Sequence, residues 1–265
     1  MLNIPFQKMN GQGNDYLFIY QKDIENIKDI PALSIAMSDR HFGVGSDGIV
    51  ILSETGKDAV RMQIFNADGS EAEMCGTALR CTVALIAGLT GDNEIRVETR
   101  SGLKSGHINK NQVVVNMGSA TFLNENELFV ASDNKIFSGY YVSMGNPHFV
   151  CFDPVADDDQ LKRWGTLIEN HSFFPNRTNV EFVEIISETE IKVKVWERGS
   201  GITLACGTGA CASMYVCHHL KKTSDSIKVN LPGGQVTVFL DNNNELSLMG
   251  PVNLVFKGNY FYNEV

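Results

Sequence analysis

Cys75-Gly76-Thr77-Ala78 and Cys206-Gly207-Thr208-Gly209 are nearly the same turn, placed roughly half a chain length apart in a sequence of 265 residues. Each is followed by an apolar stretch, Thr77 to Leu89 and Ala210 to Leu220, that predicts a buried helix. Each therefore sets a thiol at a helix N-terminus, where unpaired backbone N–H groups and the helix dipole favour negative charge and predict a lowered cysteine pKa. The segments on either side repeat as well. Ile4 to Tyr20 reads as strand, Gly-rich turn (Asn10-Gly11-Gln12-Gly13-Asn14-Asp15) and strand, and Tyr140 to Ser143, Gly145-Asn146-Pro147-His148 and Phe149 to Phe152 repeat that order. A helix at Pro31 to Arg40 answers one at Gln160 to Asn170. Strands at Ile49 to Leu52 and Val60 to Phe65 answer Asn179 to Ile186 and Glu190 to Trp196. Behind the helices, Glu94 to Thr99, Gly106 to Ile108 and Gln112 to Met117 answer Ser226 to Leu231, Gln235 to Leu240 and Glu245 to Met249, with a last strand at Val252 to Phe256. The pattern predicts a tandem duplication into two α/β lobes. The polar, aperiodic stretch Thr121 to Asn134 reads as the linker between them.

Composition narrows the function. With 43% apolar residues the chain fills a sizeable core, and no apolar run is long enough for a membrane span, so a soluble, unexported protein is expected. A formal charge of -9 without a basic block disfavours nucleic acid as a partner. Six cysteines in such a chain predict reduced thiols in a cytoplasm. A zinc site from Cys75, Cys81, Cys206 and Cys211 is disfavoured by the C-x5-C and C-x4-C spacings, so no metal is expected. Cys81, Cys211 and Cys217 read as buried helix residues, and Cys151 as a strand residue. The glycines of Gly43-Val44-Gly45-Ser46-Asp47-Gly48 fit G-x-G-x-x-G spacing, but a strand follows, so no dinucleotide loop is assigned.

Two equivalent thiols facing one another across a cleft suit proton transfer at a single carbon from opposite sides. A thiolate removes the proton, a thiol delivers one to the other face, and the centre inverts. Because the Cα–H of an amino acid is weakly acidic, the N–H groups of Gly76, Thr77, Gly207 and Thr208 are candidates to hold the adjacent carboxylate. Asn14, Asn66, Asn146, Asn179, Glu197 and Arg198 are turn-placed candidates for the rest of the substrate, the Glu-Arg pair suiting an ammonium and a carboxylate. His148 is a candidate to tune a cysteine through its charge. The remaining histidines carry no motif, and His218-His219-Leu220-Lys221-Lys222 reads as a cationic helix end.

With the motifs Asn66-Ala67-Asp68-Gly69-Ser70-Glu71, Met74-Cys75-Gly76, Gly145-Asn146-Pro147-His148, Thr178-Asn179-Val180, Glu197-Arg198-Gly199 and Ala205 to Cys211 in order, the chain resembles the diaminopimelate epimerases over nearly its whole length. The resemblance implies an α/β protein of the α+β type, each lobe a mainly antiparallel sheet wrapped around a central helix. The first lobe spans 1–119, completed by 255–265, the second 120–254, and the active site lies between them. It implies a cofactor-independent (PLP-independent), cytoplasmic, homodimeric isomerase that converts LL- to meso-diaminopimelate for lysine and peptidoglycan synthesis. Cys75 is then the proton donor and Cys206 the acceptor. Asn14, Asn66, Asn146, Asn179, Glu197 and Arg198 contact substrate, Gly76, Thr77, Gly207 and Thr208 bind carboxylate, and His148 and Glu197 modulate the cysteine pKa values. Racemisation of histidine or a basic amino acid on the same scaffold, and non-catalytic amino-acid binding, are the alternatives. The first turn departs from the family's usual Cys-Gly-Asn-Gly: Ala78 predicts a methyl group intruding where the family has none, and a penalty if φ is positive there.

Overall fold

The computed structural model describes residues 2–56, 59–132 and 135–263. The chain divides into two units, Met1–Val115 with Gly250–Val265, and Asn116–Met249. The fold is mixed α/β with mostly antiparallel pairing. Unit one holds β1 (Leu2–Gly11), β2 (Asn14–Tyr20), a 3-10 turn at Gln21–Asp23, α1 (Ile30–Ser38), β3 (Gly48–Glu54), β4 (Val60–Asn66), β5 (Glu71–Ala72), α2 (Gly76–Thr90), β6 (Glu94–Thr99) and β7 (Gly102–Asn109). β8 (Gln112–Ser119) runs across the boundary, and unit two follows with β9 (Thr121–Ser132), β10 (Lys135–Ser143), β11 (Pro147–Cys151), α3 (Asp158–Glu169), β12 (Asn179–Ser187) and β13 (Glu190–Glu197). It closes with β14 (Gly201–Ile202), α4 (Gly207–His219), β15 (Ser226–Leu231), β16 (Gly234–Leu240) and β17 (Glu245–Gly250), before β18 (Asn253–Tyr262) returns to unit one.

The two units share one strand plan. In the first, β18 pairs with β1, β1 with β2, β3 with β4, β4 with β5 and β6 with β7, all antiparallel, while β2–β3 and β4–β6 are parallel. In the second, β9–β10, β10–β11, β12–β13, β13–β14 and β15–β16 are antiparallel, and β11–β12 and β13–β15 are parallel. Parallel neighbours need a crossover, and α1, α2, α3 and α4 supply the four that these pairs require. β9 therefore holds in unit two the place that β18 holds in unit one. The stretch expected to be a linker is instead β9 from Thr121 to Ser132, hydrogen-bonded along β10; Asp133 and Asn134 lie outside the described residues, as do Glu264 and Val265 at the expected C-terminal completion of the first lobe.

Local chemistry accounts for the helices. Asp29 and Asp157 cap α1 and α3, their carboxylates accepting from Ala32 N at 2.9 Å and Gln160 N at 2.8 Å, and Pro31 stands in the first turn of α1. α2 stops at Gly91, whose φ of 77° is the left-handed conformation glycine adopts freely. Its first eight residues, Gly76 to Val83, are all buried, and α4 is buried along nearly its whole length, which makes these two the central helices of their units. Unit one closes a core over Ile4, Phe6, Leu17, Leu33, Ile49 and Ile51, and unit two over Val130, Phe137, Phe149, Leu161, Ile168 and Val180. In unit two α3 lies so close to β13 that a methyl group on Gly165 would come within 2.4 Å of the Trp196 ring. Gly165→Ala is expected to destabilise the protein by about 1–3 kcal/mol or more through this overlap, read as a lowered unfolding midpoint in urea. Among the described residues, no helix is long and apolar enough to cross a membrane.

Candidate active site

Both cysteine turns stand where the sequence places them, each cysteine being the N-cap of its unit's central helix, with extended backbone (φ -140° at Cys75, -126° at Cys206). The N–H groups of Gly76, Thr77, Gly207 and Thr208 belong to the first helical turns, where no intrahelical acceptor exists. None of the six cysteines is in a disulfide. Among the described residues no group of three or more His, Cys, Asp or Glu is arranged to hold a metal ion.

In unit one, the Cys75 thiol donates to Asn14 Oδ1 at 3.5 Å, and Asn14 Nδ2 donates to Asp47 Oδ2 at 2.7 Å. Asp47 also accepts the Asp15 N–H at 2.9 Å and the Arg40 guanidinium at 3.0 Å. Asp15 in turn binds Arg40 at 2.7 Å and Lys8 at 2.8 Å. Burial acts to raise the Asp15 carboxyl, but Arg40 and Lys8 win and hold it below the usual range. The purpose of this charge cluster is legible in its geometry: it fixes the β1–β2 turn and the Asn14 amide against the thiol. Asp47→Ala is expected to free that amide and raise KM by about tenfold, with a smaller change in kcat, in steady-state assays. Asn66, at the end of β4, donates to Ser70 Oγ at 3.0 Å. Thr77 and Arg80 are almost wholly buried, and Arg80 Nη2 donates to Gln12 Oε1 at 2.7 Å and to Thr77 Oγ1 at 3.4 Å.

At Ala78 the condition for a backbone penalty is not met. This alanine is an ordinary helical residue, fully buried and absent from the positive-φ positions, so its methyl group meets no backbone penalty. Leu79 N still donates to Cys75 O at 2.9 Å, so the turn closes normally.

In unit two the thiol is set more deeply. Cys206 Sγ accepts from Gly209 N at 3.3 Å and lies 3.4 Å from Thr208 Oγ1, which Asn146 Nδ2 also approaches at 3.4 Å. Asn146 Oδ1 is 3.0 Å from His148 Nε2, and His148 Nδ1 is 2.7 Å from Glu181 Oε1, both residues having no exposed surface. Asn179 donates to Pro147 O at 2.8 Å and accepts from Arg198 N at 2.9 Å, so its amide ties β11 to the turn after β13. The Arg198 guanidinium reaches Asn176 O at 3.1 Å, on the exposed side of that turn. Glu197 accepts from Thr203 Oγ1 at 2.5 Å. Burial pushes its carboxyl up to about 7; the Thr203 hydrogen bond opposes this, the Glu181 charge adds to it, and Cys206 is a further hydrogen-bond partner.

The helix N-terminus therefore does not decide the second thiol. Burial, then the charges of Glu197 and Glu181, push Cys206 well above the ordinary thiol value, and its contacts with Thr208 and Gly209 N only partly offset them. The lowered pKa expected from the dipole alone is reversed here, because burial of the thiol first, and the two nearby carboxylates after it, outweigh partial charges on amides. Asp47, Glu181 and Thr203 are the site residues that sequence reading misses. For Glu181 a signal was present: one acid in the run Val180-Glu181-Phe182-Val183, a strand that carries no other charge over those residues.

Solved structures with this arrangement of strands and helices include a hydroxyproline epimerase from Agrobacterium vitis (TM-score 0.72, 14% identity, 98% of this chain and 91% of that one). A phenazine biosynthesis PhzF-family protein from Enterococcus faecalis matches as well (TM-score 0.71, 11% identity, 98% and 100%). These likenesses are of fold; the isomerase class, racemases and epimerases, comes from the family model and the relatives that follow. The diaminopimelate epimerase family model matches residues 6–123 and 140–255. Diaminopimelate epimerases of Agathobacter rectalis (41% identical over 281 residues, 96% of this chain and 98% of the relative) and Parabacteroides distasonis (42% over 267 residues, 97% and 97%) align along nearly their full lengths. The chain belongs to the diaminopimelate epimerase family.

Proposed function

We propose that this protein inverts one Cα of LL-diaminopimelate to give the meso form, without a cofactor, as a cytoplasmic step toward lysine and peptidoglycan precursors. The observation that carries the reading is the cysteine N-cap on the central helix of each unit, in a chain about 40% identical to diaminopimelate epimerases along its length. The two thiols address opposite faces of one carbon. Glu197, poised near pH 7, takes the Cys206 proton; the Cys206 thiolate removes the Cα proton; and the Cys75 thiol delivers a proton to the other face. Cys206 ends protonated and Cys75 deprotonated, which is the state from which the reverse reaction begins. The carbanion is stabilised through its carboxylate by the N–H groups of Gly76, Thr77, Gly207 and Thr208, and removing one such preorganised donor costs about 3–4 kcal/mol in comparable sites. Asn14, Asn66, Asn146, Asn179, Glu197 and Arg198 hold the remainder of the zwitterion. Incubation in D2O under reducing conditions with LL-diaminopimelate, L-histidine and L-lysine tests the assignment. Deuterium is expected at the Cα of diaminopimelate and not of the other two; exchange into none of them would sink the reading.

A further inference from the structure

A buried carboxylate lies beneath the second cysteine turn at a strand position that carries Val50 in unit one. Glu181 has no exposed surface, its Oε1 holds His148, and its Oε2 has no hydrogen-bond partner among the described residues. Leaving a carboxylate oxygen buried and unpaired is costly, so a fold that keeps one gains something by it. A methyl group on Gly209 would come within 2.7 Å of Glu181 Oε1 and 3.2 Å of Cys206 Sγ. The acid thus fills the space that glycine leaves at the start of α4.

Strand register identifies the matching positions in unit one. Glu181 pairs with Val195 and Val180 with Trp196, just before Glu197; Val50 pairs with Ile64 and Ile49 with Phe65, just before Asn66. Phe149 pairs with Val180 as Leu17 pairs with Ile49, which sets His148 opposite Tyr16 in the comparison. Unit two combines Glu181, His148 and Gly209 where unit one combines Val50, Tyr16 and Ala78. These three differences are linked, and they account for the alanine in the first turn: with Val50 rather than a carboxylate at the matching position, the glycine is not needed.

We propose that Glu181 is a positioning residue of the second turn: its buried charge holds His148, and through it Asn146 and Thr208, in register with the thiol and keeps the proton on Cys206 in the free protein. The charged and titratable groups set around that thiol are Glu197 on β13, Glu181 on β12 and, hydrogen-bonded to Glu181, His148 on β11. Two carboxylates and one imidazole leave the surroundings of Cys206 short of positive charge, so its proton is retained until Glu197 takes it. Once formed, the Cys206 thiolate is a strong base for the same reason. The proposal deepens the two-thiol reading and rests on it for the role of Cys206, though not for its protonation.

The test is a pH titration of cysteine 13Cβ signals in labelled full-length protein, with Cys206 assigned by its loss in Cys206→Ser. In Glu181→Gln the Cys206 midpoint is expected to fall by about one pH unit or more, and kcat by about tenfold or more with KM changed by less than about threefold. A folded Glu181→Gln protein with an unmoved midpoint would overturn the proposal. The Glu181→Val, Gly209→Ala double variant copies the seat of the first turn and serves if the single variant does not fold; the same downward movement is expected, and a wild-type midpoint overturns the proposal there too. If wild type fails to exchange deuterium into diaminopimelate yet the midpoint moves in these variants, the assigned reaction falls and the role of Glu181 stands.

Discussion

Cys206→Ser and Cys75→Ser are each expected to lower inversion of LL-diaminopimelate by about 100- to 10,000-fold, the range lost when a positioned proton-transfer group is removed. Serine preserves the size of the side chain and the extended N-cap backbone, so helix starts and unfolding midpoints should change little. What it removes is acidity: a hydroxyl gives up its proton far less readily than a thiol, and neither half of a two-base transfer survives that change. The helix-interior thiols provide the contrast. Cys81 and Cys217 are fully buried and pushed up to about 12 by burial, which leaves them protonated and inert at working pH. Cys81→Ala and Cys217→Ala should therefore cost stability through lost packing and leave kcat within about threefold of wild type once folding is accounted for. Full activity in Cys206→Ser would rule out the two-base scheme.

Glu197→Gln is expected to lower kcat by about 100-fold and, at the same time, to make the protein more stable at alkaline pH. Both effects follow from one buried carboxyl. In the proposed mechanism the ionised Glu197 accepts the Cys206 proton, so the wild-type rate should fall as pH drops through about 7, and that acid limb should vanish in the glutamine variant. For stability the sign is opposite to that of a salt-bridged acid. The folded-state pKa of about 7 lies above the ordinary 4.5, so the folded protein holds the proton more tightly than the unfolded chain and loses stability as pH rises between those two values. Above pH 7 the wild type carries the full cost of a buried charge that glutamine does not. Melting curves at pH 8 should favour Glu197→Gln, and the advantage should disappear near pH 4.5. A variant that loses activity without gaining stability at pH 8 would show that the carboxyl is not buried as charge. The pair of results separates a catalytic carboxylate from a structural one, because a structural acid would lose both together.

Much of this architecture was legible in the sequence because duplication leaves local marks. Gly-rich turns, cysteines and apolar runs recur in one order, and a turn such as Gly145-Asn146-Pro147 constrains the backbone wherever it stands. Glu94–Thr99 and Ser226–Leu231 have the bounds that alternation predicts. What escaped were features set by distant partners. β9 exposes Leu123 and Phe129 and carries Glu125 and Glu127, so its residues resemble a polar connection until β10 pairs with it. β5 and β14 are two residues long, too short for any period. The cysteines and turn amides of the site were visible as residue types in a pattern. Their supports were not: Asp47 and Arg40 meet Asn14 and Asp15 only after α1 and its return loop fold back, and Glu181 reaches the second turn from a different strand. The expectation that failed most clearly, a lowered Cys206 pKa, failed because a helix dipole is local and readable, whereas the burial of the thiol and the two carboxylates brought in from β12 and β13 are not.

In the proposed mechanism each thiol serves one face of one carbon. Early-time isotope analysis in D2O tests it most directly, with LL-diaminopimelate as substrate and both isomers recovered before about one tenth of the substrate has turned over. One thiol per face predicts deuterium at the inverted Cα of the meso product and almost none in the recovered LL substrate, because the proton removed and the proton delivered sit on different sulfurs. Equal early labelling of substrate and product, the signature of a single group serving both faces, would contradict it.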